Sequence, residues 1–137
     1  MYFCCMENEV NESFEILLTA CQTADSNLAV AYKQLRDLLE RLCRAQMQDE
    51  SLQMTDLSAR ISFVSARAGL TIVEQNRLHT FRLTSNAILN RKEEPVREKL
   101  LRDAKTLAFF IRKLYEVEIP GELTAACRRN LPRSTSG

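Results

Sequence analysis

The chain is 137 residues long, which suits one domain and is short for two cores of comfortable size. It is 45% hydrophobic and 27% charged, a balance that excludes both a disordered chain and a membrane-embedded one. It holds 3 Gly and 3 Pro, about 4% together against roughly 12% in average usage. So few turn-formers leave little room for many short strands and point to a few long helices. With 19 basic and 18 acidic side chains the net charge is +1, so whole-chain electrostatics make no case for nucleic acid or membrane.

In chain order, the opening MYFCCM lacks a basic region and is too short for a signal sequence. Residues 1–10 are expected to form a flexible N-terminus, with Met6 as an alternative start. The first helix is expected from about Asn11 to Thr23, because Val10, Phe14, Leu17 and Cys21 recur at helical spacing. Asp25, Ser26 and Asn27 break that pattern and offer an N-cap. A second helix, about Asn27 to Gln46, carries Leu28, Tyr32, Leu35, Leu39 and Leu42 on one stripe. Its outer side pairs Arg36 with Glu40, Asp37 with Arg41 and Glu40 with Arg44 at i, i+4. After a polar link, Thr55 and Asp56 open a shorter helix bearing Leu57, Ile61 and Val64, which stops at Gly69.

Thr71 and Glu74 are spaced as a capping box for a fourth helix that runs to about Arg91. Its apolar set is Val73, Leu78, Phe81, Ile88 and Leu89. Pro95 suits the first turn of a fifth helix reaching about Glu116 and burying Val96, Leu100, Ala104, Leu107, Phe110, Ile111 and Leu114. Pro120 and Gly121 close the domain, and Arg128, Arg129 and the tail RSTSG extend beyond it. The expected architecture is therefore all-α: an up-and-down bundle of about five helices over residues 11–118, with 119–137 as a polar tail or linker.

The five cysteines, Cys4, Cys5, Cys21, Cys43 and Cys127, have no regular spacing and make a poor disulfide framework. The one His, His79, is far in sequence from all of them, so no zinc site and no other metal is expected. Reduced thiols and the want of a targeting segment suit the cytoplasm. There is no phosphate-binding glycine loop, so neither a motor nor a bound small-molecule cofactor is expected.

Charge is unevenly distributed. Residues 1–32 carry five acidic side chains and no basic one. The fifth helix carries Arg97, Lys99, Arg102, Lys105, Arg112 and Lys113, a basic face able to meet phosphates or an acidic partner, or simply to be solvated. The fourth helix holds Arg82, Asn86 and Asn90 at i, i+4, i+8, with Arg82 bordering the apolar side. A guanidinium at such a seam wants a carboxylate, so Arg82 or its neighbours are expected to meet Arg36 and Glu40 across a helix contact. Loss of a fully buried partner by Arg82→Leu would cost about 3–5 kcal/mol. Two readings of these residues stand open: a polar network that fixes helix register, or a ligand or active site.

Three stretches carry a resemblance. They are Phe14 to Leu18 (FEILL) with Ala24 to Tyr32 (ADSNLAVAY), Gln34 to Leu42 (QLRDLLERL), and Phe81 to Asn90 (FRLTSNAILN). In order and spacing they resemble the HEPN-type helical domains, most closely the family called domain of unknown function 4145, over roughly Ser13 to Glu118. In catalytic HEPN proteins an Arg…His motif supports metal-independent RNA cleavage, usually across a dimer interface. Here Arg82 and Asn86 fall on the family's Arg and Asn, Ser85 replaces its Gly, and Asn90 replaces its His. Asn cannot titrate, so the resemblance implies a non-catalytic module. His79 lies on the same side but off the motif spacing. Members of that family commonly precede helicase or type I restriction motor regions, so the chain is expected to be an interaction or accessory piece of a nucleic-acid-processing or defence system. A homodimer or protein partner is expected, with RNA cleavage or RNA or DNA binding through the fifth helix as the alternatives.

Overall fold

The computed structural model describes residues 2–47 and 56–128. Among these the chain is all-helical, with six helices packed together and no strand. They are α1 (Tyr2–Thr23), α2 (Leu28–Gln46), α3 (Leu57–Ala68), α4 (Ile72–Leu89), α5 (Arg97–Tyr115) and α6 (Gly121–Arg128).

Local chemistry sets most boundaries. Asn27 caps α2 by accepting from the Val30 N–H at 3.1 Å. Asp56 caps α3, accepting from Ser58 and Ala59; Thr55 lies outside the described residues. Gly69 ends α3 with φ at 78°, a left-handed conformation that most L side chains resist. Both halves of the Thr71–Glu74 capping box are formed, at 3.1 and 2.9 Å. Helix α5 begins at Arg97, two residues after Pro95, with Val96 as an N-cap that makes no side-chain bond.

Two ends differ from expectation. The helical run of α1 starts at Tyr2, not near Asn11, and reaches back through the cysteine pair. Past Pro120 the chain does not leave the bundle. Gly121 opens α6, where Leu123 (1% exposed) and Ala126 (7%) pack into the core. This short helix rests on α1 and α5, and that docking is what stabilises eight residues too few to hold helical form alone.

The core joins Leu17 of α1, Tyr32, Leu35 and Leu39 of α2, Phe81 of α4 and Leu107 of α5, all fully buried. The Tyr32 and Phe81 rings stack at 6.2 Å between centroids, 16° from parallel, and fix α2 against α4. Consecutive helices pack on one another, and α2 additionally touches α4 and α5. Not every expected core residue is inside. Val73 is 59% exposed, Val96 51% and Leu89 38%. Val73 turns instead toward a groove between α4 and α5. No described helix is long and apolar enough to cross a membrane.

Candidate functional site

Arg36 and Glu40 stand one turn apart on the flank of α2, and Ser85 and Asn86 stand on α4, which α2 contacts. The Arg36 guanidinium joins the two helices. Its Nε donates to Glu40 Oε2 at 3.2 Å, and its Nη1 donates to Asn86 Oδ1 at 2.5 Å and to Ser85 Oγ at 3.4 Å. The arginine side chain is 18% exposed and the glutamate 33%. Ser85, fully buried, donates in turn to the carbonyl of Arg82 at 3.1 Å. The guanidinium that bridges to Glu40 is thus Arg36. Arg82's neighbours meet Arg36, while Arg82 itself does not reach Glu40. A cost of 3–5 kcal/mol for losing Arg82, conditional on its being Glu40's buried partner, therefore does not apply.

Arg82 belongs to a second, adjacent chain of contacts toward α3. Its Nε lies 3.4 Å from His79 Nδ1, one turn back on α4. The other ring nitrogen of His79 is 3.2 Å from Ser62 Oγ of α3, and Gln75 Nε2 reaches the same hydroxyl at 3.5 Å. Burial, and then the positive charge of Arg82, lower the pKa of His79 below its ordinary value. The imidazole is accordingly neutral at physiological pH, with Nδ1 facing the arginine donor. Asn90, the last member of the polar stripe, is exposed at the end of α4 as its C-cap, and its backbone N–H goes to the carbonyl of Asn86. The stripe is therefore divided: Asn86 faces α2, Arg82 pairs with His79 on its own helix, and Asn90 faces solvent.

The basic residues of α5 are divided too. Arg97 is held by Asp25, with Nη2 at 2.6 Å and Nε at 3.1 Å from one carboxylate oxygen. Lys99 pairs with Glu93 at 3.3 Å. Arg112 and Lys113 lie over the Phe109 ring, at 5.9 and 6.0 Å from its centroid. Arg102 and Lys105 are exposed.

Arg102 and Lys105 border the second candidate site, a groove of about 760 Å³ between α4 and α5. Leu78 and Phe110 are buried in its floor, with Phe109 and Ile119 half-buried beside them. Asp103 projects into it, and the buried Tyr32 hydroxyl donates to Asp103 Oδ2 at 3.0 Å. Burial raises the Asp103 carboxyl to about 6, while the Tyr32 hydrogen bond, Lys99 and Arg102 pull it back down. The buried Tyr32 phenol is raised as well, first by burial and then by the carboxylate. Sequence reasoning missed this pair, although the signal was present. On a helical projection Asp103 falls between Phe110 and Leu107, inside the apolar face of α5.

Cys43 is buried in the core, where burial lifts its thiol to about 12. Cys21 of α1 and Cys127 of α6 meet, and the hydrogen bond between them lowers the Cys127 thiol below its usual value. The side chains of Cys4 and Cys5, Arg128 and the RSTSG tail lie outside the described residues. Among the described residues no cluster of three or more His, Cys, Asp or Glu is placed to hold a metal. No protein-family model, curated protein or solved structure matches the chain.

Proposed function

We propose that the chain is a non-catalytic helical interaction module, an accessory part of a nucleic-acid-processing or defence system. The observation that carries this reading is the state of the polar stripe. Arg36, the cation best placed to act on a ligand there, commits its Nε and Nη1 to Glu40, Asn86 and Ser85 within the fold. Where the resembled HEPN motif has its acid or base, this chain has Asn90, a side chain that cannot exchange a proton near neutral pH. Such a network suits fixing the register of α2 on α4 better than binding a substrate. The HEPN resemblance supports the pathway class and the expectation of a dimer or protein partner.

One observation favours a second reading, metal-independent RNA cleavage. His79 is neutral and touches both Arg82 and Ser62, the pairing of base and cation that such chemistry would use. Incubating the pure protein with mixed RNA in chelator separates the two. The module reading expects intact RNA. Cleavage that is lost in both Arg82→Ala and His79→Ala would replace it with the nuclease reading.

A further inference from the structure

The groove between α4 and α5 has a composition that selects among ligands. Its floor is apolar, with Leu78 and Phe110 buried and Phe109 and Ile119 half-buried. Val73, 59% exposed, adds an unpartnered apolar side chain at the rim. Three cations stand on the rim as well: Arg77 on α4, and Arg102 and Lys105 on α5, all exposed. None of the three has an ion-pair partner among the described residues.

Its size is set by the helices that line it. From Lys99 to Phe110 the α5 wall spans twelve residues, about 16 Å of helix axis. That length matches roughly three turns of a helix laid alongside. An apolar floor with two bordering helices is the usual seat for an amphipathic helix, and cations on the rim call for carboxylates beside its anchors.

We propose that this groove docks an acidic amphipathic helix of a partner protein. Apolar side chains one turn apart would seat on Val73, Phe109 and Ile119. Glu or Asp residues flanking them would face Arg77, Arg102 and Lys105. This rests on the reading of the chain as an interaction module and names the partner's chemistry. Nucleic acid fits the groove less well. Its floor offers apolar surface, which seats the anchors of an amphipathic helix but leaves a phosphate backbone without donors.

Fluorescence anisotropy tests the proposal with labelled 15-residue helical peptides. Leu would be placed at i, i+4 and at i, i+3, i+7, with Glu in the flanking positions. Lys-for-Glu and Ala-for-Leu versions of each peptide, and a short single-stranded RNA, serve as the comparison ligands. At least one Glu peptide is expected to bind in the range of about 10–100 µM, with both replacement versions weaker. Arg102→Glu with Lys105→Glu should weaken it by about tenfold or more, and Val73→Ser, which removes apolar surface without adding charge, should weaken it independently. All three substituted positions are at the surface, and a thermal melt of each variant establishes that it is folded.

Any of four outcomes overturns the proposal: no Glu peptide binding, equal binding of the Lys version, binding unmoved by the variants, or preferential binding of RNA. Self-association that is abolished by the same variants would also overturn it, assigning the groove to a second copy. RNA cleavage in the preceding experiment would defeat the module reading, whereas silent peptides with intact RNA defeat only the groove.

Discussion

Replacing Arg36 with Met tests the assignment of the polar network most directly. Methionine keeps most of the apolar stem and removes the guanidinium. Three contacts are lost: to Asn86 at 2.5 Å, to Glu40 at 3.2 Å and to Ser85 at 3.4 Å. Their weights differ. The short bond from a charged donor to Asn86 is worth about 1.5–3 kcal/mol. The Glu40 carboxylate, 33% exposed, can recover water, so its loss costs less than the 3–5 kcal/mol of a fully buried broken pair. Ser85 keeps its bond to the carbonyl of Arg82 and is not orphaned. The sum is about 2 kcal/mol, or a fall in Tm of roughly 6–10 °C for a chain of this size. Arg82→Leu removes only a 3.4 Å contact within its own helix and should cost under about 1 kcal/mol. Thermal and urea denaturation followed by circular dichroism measures both. If Arg82→Leu is the more damaging, or Arg36→Met is neutral, the network has been assigned to the wrong arginine.

Asp103 should make stability depend on pH in the direction opposite to an ordinary ion pair. Its folded pKa, about 6, lies above the unfolded value of 3.8. The charged form is therefore penalised in the fold, and the carboxyl's contribution falls as pH rises from about 4 to about 6 and is level above. Asp103→Asn should remove that slope and, at pH 7, gain up to about 1–2 kcal/mol once solvent screening in the groove is allowed for. Urea titrations of both proteins from pH 4 to 8 measure it, and parallel curves would contradict the burial argument. Among the described thiols, Cys127 should be alkylated by iodoacetamide well ahead of Cys43, whose thiol is buried and raised to about 12; peptide mapping after a short pulse would show the reverse order if α6 does not pack as described. Leu123→Ala, at a side chain 1% exposed, should cost about 2–4 kcal/mol in a chemical melt, and a neutral result would mean that α6 adds nothing to the core.

The parts of the fold legible in the sequence are those set by local chemistry. Asn27, Asp56, Gly69 and the Thr71–Glu74 box each act within four residues, so these residue types announce the helix ends. The Arg36–Glu40 pair was legible for the same reason. What lies between helices was legible only in part. Helical projection placed Arg82 at the seam, and the neighbouring Ser85 and Asn86 are the residues that receive Arg36. Which residue of a stripe reaches across depends on the rotation of α4 about its axis, and the stacking of Tyr32 on Phe81 sets that. Helix α6 was missed because the eight residues following Pro120 carry too weak a period to stand out. Arg41 shows the same tertiary control. The i, i+4 rule pairs it with Asp37, yet it bonds Glu12 of α1 at 2.8 Å, while Asp37 pairs with Lys33.

The two candidate sites occupy different sides of α4, and that separation has a consequence. Taking Arg82 as zero, Asn86 lies about 40° round the helix, toward α2, whereas Val73 lies about 180° and Arg77 about 140° away, toward α5. A side chain deleted from the α2 side should therefore alter stability without reshaping the α5 side, as long as the bundle stays folded. Arg36→Met, although about 2 kcal/mol less stable, should bind the acidic helical peptides with wild-type affinity at temperatures well below its transition. Asp103→Asn sits in the groove and should change that affinity while leaving the Arg36 network intact. Reciprocal behaviour, with peptide affinity falling in Arg36→Met, would mean that the polar network and the groove act as one site. The division of α4 into a structural face and a binding face would then have to be given up.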